Sequence, residues 1–153
     1  MTRPRAPTCD KRAFSGGGGL ISTVADYQRF CQMLLNGGQL DGRRYISRKT
    51  LELMGANHLP GGAYLPQLSV SMFAEASYNG IGFGLGFSVV KDSAQTLIPG
   101  SNGELAWGGM ASTAFWVDPL EDLSVVFMTQ LAPSSTYPIR RQLRTMVYSA
   151  LND

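Results

Sequence analysis

The chain has 153 residues, 44% hydrophobic and 16% charged, with a formal charge of +2, which suits one globular domain or a large piece of one rather than two. Its basic residues are scattered, apart from Arg3 and Arg5 near the start and Arg140, Arg141 and Arg144 near the end, so the sustained basic face of a nucleic-acid binder is missing. No run approaches the ~18 apolar residues of a membrane helix, the start lacks a signal peptide's apolar core, and Cys9 and Cys31 form no C-x-x-C pair that would argue for zinc or thiol redox chemistry.

Residues 1–13 are polar and contain two prolines, the composition of a loosely ordered leader. The run Ser15 to Gly19 then leads into a helix. Ser22 or Thr23 can cap it, and Val24, Tyr27, Phe30, Cys31, Leu34 and Leu35 recur at three- and four-residue spacing. Asn36-Gly37-Gly38 ends it, as a helix terminus needing a left-handed residue would. Cys31 falls on the apolar face and reads as a small core residue. Asp26 sits in the first turn, where a carboxylate favours the positive helix end. Gln39 to Ile46 is a polar turn around Asp41-Gly42, and Ser47 caps a short helix over Arg48 to Met54. Residues 55–79, with Pro60, Gly61, Gly62 and Pro66, show no sustained period and read as a long surface loop.

From Ile81 the period becomes two. Ile81, Phe83, Leu85, Phe87 and Val89 share one face of a strand, while Gly82, Gly84, Gly86 and Ser88 share the other. So bare a face invites very close packing. Residues 104–117 read as a second strand, Asp118 to Asp122 as a turn, and Leu123 to Leu131 as a third strand paired with the second. After Pro133 to Pro138 a last amphipathic helix puts Ile139, Leu143, Met146, Val147 and Ala150 inward and its three arginines outward. The fold class is α+β, an antiparallel sheet flanked by helices.

Two segments carry a resemblance. GGGLISTVADYQRF (Gly17 to Phe30) resembles the glycine-rich entry and following helix of the superfamily of class C β-lactamases, penicillin-binding proteins and family VIII-type esterases. AWGGMASTAFWVDP (Ala106 to Pro119), followed by LSVVFMTQ, resembles that superfamily's active-site strand and the next strand. LNGGQLDGRRYISRKTLELM and GFGLGFSVV fit the family's order between them. The resemblance implies a partial β-lactamase/transpeptidase-like fold, with residues 14–153 as the carboxy-terminal part of such a domain. It also implies a bacterial protein of the cytoplasm or periplasm that needs no cofactor or metal.

In that family a Ser-x-x-Lys helix supplies the nucleophile and its base, and a Tyr-x-Asn loop a second acid/base. A Lys/His-Thr/Ser-Gly strand lines the opposite wall. The esterase-like branch resembles this sequence in having Trp-Gly-Gly there, here Trp107-Gly108-Gly109. Small residues suit the place, because an acyl carbonyl must lie against the strand for a backbone N–H to meet the developing oxyanion. By resemblance that donor is the Met110 N–H, next to Gly109, and Trp107 and Gly108 form a substrate wall. An apolar Trp107 in place of a cation favours esters or amides with greasy acyl groups over penicillins.

The sequence departs from the family in its nucleophile. Its one Ser-x-x-Lys string, Ser88-Val89-Val90-Lys91, lies in a period-two segment, where residues three apart point to opposite faces. Ser77-Tyr78-Asn79 is out of family order and reads as a loop. His58 has no partner that would make a triad, and the SGGGG run lacks the Gly-Lys-Ser/Thr of a phosphate loop. Trp116, Phe115 and Phe127 read as core. The expectation is therefore a fragment of an acyl-enzyme serine hydrolase acting on a small ester or amide. Its nucleophile would come from a missing amino-terminal half of the same fold, and its partner would be that half or a second copy of the chain. Two other readings stand beside it. One is a non-catalytic module that pairs or dimerises through an uncovered sheet edge. The other is a hydrolase using Ser101 or Ser112, although neither lies in a G-x-S-x-G elbow.

Overall fold

The computed structural model describes residues 20–68 and 78–152. The leader expected over 1–13, the SGGGG run, Cys9 and Ser77 lie outside them. The first helix, α1, spans Val24–Leu35 and is capped by Thr23, whose Oγ1 accepts from Asp26 N at 3.1 Å. Gly37 and Gly38 turn the chain out of it at φ 63° and 92°. The polar turn expected over 39–46 is a small hairpin, β1 (Gln39–Leu40) with β2 (Arg43–Arg44). Ser47 caps α2 (Arg48–Met54), its Oγ accepting from Thr50 N. The loop that follows holds a 3-10 turn (Pro60–Gly62) and one helical turn, α3 (Leu65–Leu68).

The sheet has five strands where three were expected, all antiparallel and in chain order. The run from Ile81 folds back on itself as β3 (Ile81–Phe83) and β4 (Ser88–Val90), with Ile81 opposite Val90. After the short α4 (Ser93–Thr96), the segment expected as one strand over 104–117 is a second hairpin, β5 (Leu105–Gly108) with β6 (Ala114–Asp118). β7 (Leu123–Phe127) completes the sheet against β6, and α5 (Ile139–Tyr148) closes the chain.

The strand register sorts side chains between two unlike faces. Val89, Leu105, Phe115 and Val117 point to one, where with Phe87 they bury Cys31 and Leu34 of α1. Tyr27 adds its ring to Phe115, with centroids 5.0 Å apart. Each large apolar side chain enclosed here contributes about 1.5–3 kcal/mol, so this dry face anchors the fold. Gly82 and Gly84 are packed tightly, as expected, but the expected faces do not form: the fold-back sets Ile81 and Phe83 on the side of Val90 and Ser88, puts Gly82 with Val89, and leaves Gly86 open. A Cβ at Gly84 would lie 2.0 Å from Met54 O, and one at Gly82 2.4 Å from the Asn57 side chain.

The other face is polar. Ala106, Gly108, Ala114, Trp116 and Asp118 turn toward α5, joined by Glu104 just before β5. The helix answers with Arg140, Arg144 and Tyr148, one turn apart along a single stripe. This corrects the expected orientation of α5 in part: Arg140 and Arg144 reach inward and Met146 and Ala150 are exposed, whereas Ile139, Leu143 and Val147 stay half-buried. The preference for apolar contact is overridden because Glu104 and Asp118, both fully enclosed, need partners.

Candidate active site

β5 ends in the turn that the sequence singled out. Gly108 pairs with Ala114, Gly109 N donates to Thr113 O at 2.9 Å, and Ser112 N donates to Gly109 O at 3.1 Å. Ser112 itself takes a left-handed backbone at φ 69° and is buried. Its Oγ donates to Leu131 O at 2.6 Å, and Leu131 N donates back to Ala111 O. A serine so enclosed and committed is part of the scaffold and does not offer an attacking hydroxyl.

Both glycines are required by protein groups that press on them. A Cβ at Gly108 would lie 2.8 Å from the Arg140 guanidinium carbon and 2.8 Å from Thr113 O; one at Gly109 would lie 2.5 Å from the Thr113 hydroxyl. Met110, next in line, is 75% exposed, and among the described residues its N–H meets no acceptor. Trp107 is 44% exposed and holds its ring edge-on to Phe83, with centroids 4.9 Å apart at 77°. On the side of the sheet facing α1, a hollow of about 210 Å³ is bordered by Trp107, Gly108, Gly109, Thr113, Tyr27 and Met128. The structure thus brings Trp107, Gly108 and Gly109 to one concave, largely apolar surface, with Met110 continuing from it.

The remaining candidates fall elsewhere. Ser88 is buried with its Oγ donating to Ala106 O at 2.7 Å, while Lys91 is exposed beyond the strand end. His58 places Nε2 2.7 Å from Leu53 O at the end of α2, a structural use. Ser101 is buried, and Tyr78 borders a second cavity, behind the sheet. Trp116 and Phe115 are core, as expected. Burial lifts the Cys31 thiol to about 11, the reverse of what a reactive cysteine needs.

Behind the turn lies a cluster that sequence reasoning missed. Arg144 Nη1 meets Glu104 Oε1 at 2.5 Å, and its guanidinium sits 5.0 Å over the Trp116 ring. Tyr148 Oη lies 2.8 Å from Glu104 Oε2 and 2.7 Å from Asp118 Oδ2. Burial pushes the Glu104 carboxyl above its ordinary range, opposed by Arg144 and the Tyr148 hydroxyl. The Tyr148 phenol is raised by burial and by the two carboxyls. The signal was present: Arg140, Arg144 and Tyr148 recur at four-residue spacing, and Glu104 and Asp118 flank apolar strand residues. The habit of turning charges outward concealed it.

Comparison with known proteins decides the family. A family model described as Beta-lactamase matches residues 1–147. The chain belongs to the beta-lactamase family. Protein Rv1367c of Mycobacterium tuberculosis (strain ATCC 25618 / H37Rv) is 37% identical over 122 residues, covering 78% of this chain and 29% of its own length; the chain thus spans less than a third of the length of that relative. Among solved structures, EstCE1, a hydrolase with promiscuous acyltransferase activity, is 28% identical with a TM-score of 0.56, over 77% of this chain and 27% of its own. The unliganded selenomethionyl simvastatin synthase LovD of Aspergillus terreus superposes with a TM-score of 0.63 at 22% identity, over 84% and 33% of the two chains. A putative beta-lactamase from Bacteroides dorei DSM 17855 does so at 0.58 and 19%, over 94% and 45%. The α+β architecture is therefore that of the β-lactamase-like serine hydrolases.

Proposed function

We propose that this chain supplies the oxyanion strand and one substrate wall of an acyl-enzyme serine hydrolase acting on small esters or amides. The Met110 N–H is the oxyanion donor, adjoining Gly109, and Trp107 and Gly108 form the wall. The nucleophilic serine and its lysine come from an amino-terminal half of the same fold. The observation that carries the reading is the Met110 N–H, free of any acceptor among the described residues, at the exposed end of a strand whose neighbouring positions border an apolar hollow.

The chemistry follows from that arrangement. Serine Oγ attacks the acyl carbonyl carbon, and the carbonyl oxygen gains negative charge that the Met110 N–H stabilises. Collapse expels the alkoxide or amine, which takes up a proton as it leaves. Water then attacks the acyl-enzyme through the same oxyanion and releases the acid. One such donor contributes roughly 3 kcal/mol to the transition state. EstCE1 is described as a hydrolase with promiscuous acyltransferase activity, the pairing expected when either water or an alcohol can intercept an acyl-enzyme.

The test is hydrolysis of p-nitrophenyl butyrate and a chromogenic cephalosporin, with fluorophosphonate labelling read by mass spectrometry. It is run on the chain alone and mixed with a separately made amino-terminal portion of a family member. The expected result is silence alone, and ester turnover with a serine labelled on the added portion in the mixture. Turnover by the chain alone with Ser101, Ser112 or Ser88 labelled would overturn the assignment. So would continued silence in a mixture shown to have formed a complex.

A further inference from the structure

Behind the turn that follows β5, a cation is joined to the backbone. Arg140 extends from the first turn of α5 and donates through Nη2 to Gly109 O at 2.5 Å and to Thr113 O at 3.0 Å. Its guanidinium lies where a side chain at Gly108 would be. Gly109 O belongs to the same peptide group as the Met110 N–H. That peptide is not among the cis bonds of the chain, so its C=O and N–H point in opposite directions. A cation that holds the carbonyl on the α5 side thereby aims the N–H at the opposite side, where Trp107, Gly109 and Tyr27 border the hollow. Hydrogen bonding at the carbonyl also polarises the amide, strengthening its N–H as a donor by roughly 10–30%.

The geometry points to Arg140 as a positioning residue: its guanidinium fixes the Gly109–Met110 peptide plane so that the Met110 N–H faces the acyl site. The catalytic half of this inference rests on the reading of Met110 as oxyanion donor. The clamp itself does not. Arg140 touches no reacting atom and acts through the peptide alone. Arg141, one position on, supplies the contrast, because it donates to Leu97 O at 3.4 Å, away from the turn.

Two measurements test the inference separately. On the chain itself, nuclear magnetic resonance follows the Met110 amide in wild type, Arg140→Lys, Arg140→Ala and Arg141→Ala. Loss of the guanidinium is expected to shift the Met110 nitrogen and proton signals and speed their exchange, with Arg141→Ala near wild type. An unmoved Met110 amide in a folded Arg140→Ala or Arg140→Lys chain overturns the clamp. In the hydrolysing assembly, Arg140→Ala is expected to lower kcat for p-nitrophenyl butyrate about tenfold or more, short of the 10²–10³ for loss of a whole donor. KM should change less than about twofold, because the donor acts on the transition state. Added methylguanidinium should restore part of the rate, and Arg141→Ala should leave it unchanged. A kcat untouched in Arg140→Ala, or lowered equally in Arg141→Ala, sinks the positioning role. If wild type itself hydrolyses nothing, the oxyanion reading fails, and the Met110 amide alone decides the clamp. Should Arg140→Ala not fold, Arg140→Lys carries both measurements, because lysine keeps the charge but its side chain is one bond shorter than the reach to Nη2, which alone holds both carbonyls.

Discussion

Arg144 and Glu104, 40 positions apart in the chain, are joined by a 2.5 Å contact with the Glu104 side chain wholly enclosed and that of Arg144 largely so. Removing one partner of such a pair leaves the other buried and uncompensated, at a cost of about 3–5 kcal/mol. Arg144→Ala is therefore expected to lower unfolding free energy by about that amount in guanidinium titrations. Glu104→Gln, which keeps shape and hydrogen-bonding capacity, is expected to cost about 1–2 kcal/mol. Equal and small losses for both would mean that the pair contributes little.

The same cluster makes stability depend on pH. The Tyr148 hydroxyl has one proton and lies within hydrogen-bond distance of two carboxyls, Glu104 at 2.8 Å and Asp118 at 2.7 Å. Burial holds the Glu104 carboxyl above its ordinary range in the folded chain, opposed by Arg144 and the Tyr148 hydroxyl. A carboxyl raised in the folded state binds more protons folded than unfolded. Its contribution is therefore full below the unfolded glutamate value, ~4.3, and is lost as pH rises through the folded one. The transition temperature is expected to decline over that window in wild type, and much less in Glu104→Gln. Identical pH profiles for the two would refute the raised Glu104 carboxyl as their source.

Cys31 gives a simpler prediction. With its thiol enclosed in the apolar core and raised to about 11, it should resist maleimide at neutral pH in the folded chain. It should react once the chain is unfolded in denaturant. Peptide mapping that finds Cys31 labelled as fast in both states would show that the α1 face opens readily.

Trp107 is half in solvent and packs on Phe83 alone among the described aromatic residues. Trp107→Ala should therefore cost little stability, about 1 kcal/mol. In the hydrolysing assembly it should raise KM for longer acyl esters more than for acetate, because an apolar wall rewards apolar length. A uniform effect across acyl lengths would remove Trp107 from the wall.

Some of this was legible in the sequence. The α1 helix came through with both ends correct, because Thr23, Gly37 and Gly38 mark them locally. The strands came through in type but not in number. The alternation of Ile81 to Val89 runs unbroken through a reversal at Gly84–Gly86, where Gly84 N donates to Phe87 O at 2.8 Å. The reversal sets Ile81 and Phe83 on the face of Val90 and Ser88, opposite Val89, but it leaves the alternation in the sequence intact, so the pattern did not announce the fold-back. Trp107 to Met110 stood out through resemblance, not through pattern. Arg140 and Arg144 were misplaced because their partners lie 27 to 40 positions away in sequence, beyond any local rule.

The turn from Gly109 to Thr113 is tied on nearly every side: to Leu131 through Ser112 and Ala111, to Arg140 through two carbonyls, and to itself across Gly109 and Thr113. A segment so fastened surrendered its conformational freedom when the chain folded. An anion arriving at Met110 would meet a donor with almost nothing left to order, so the entropy usually lost when a loop closes on its ligand has here already been lost in folding.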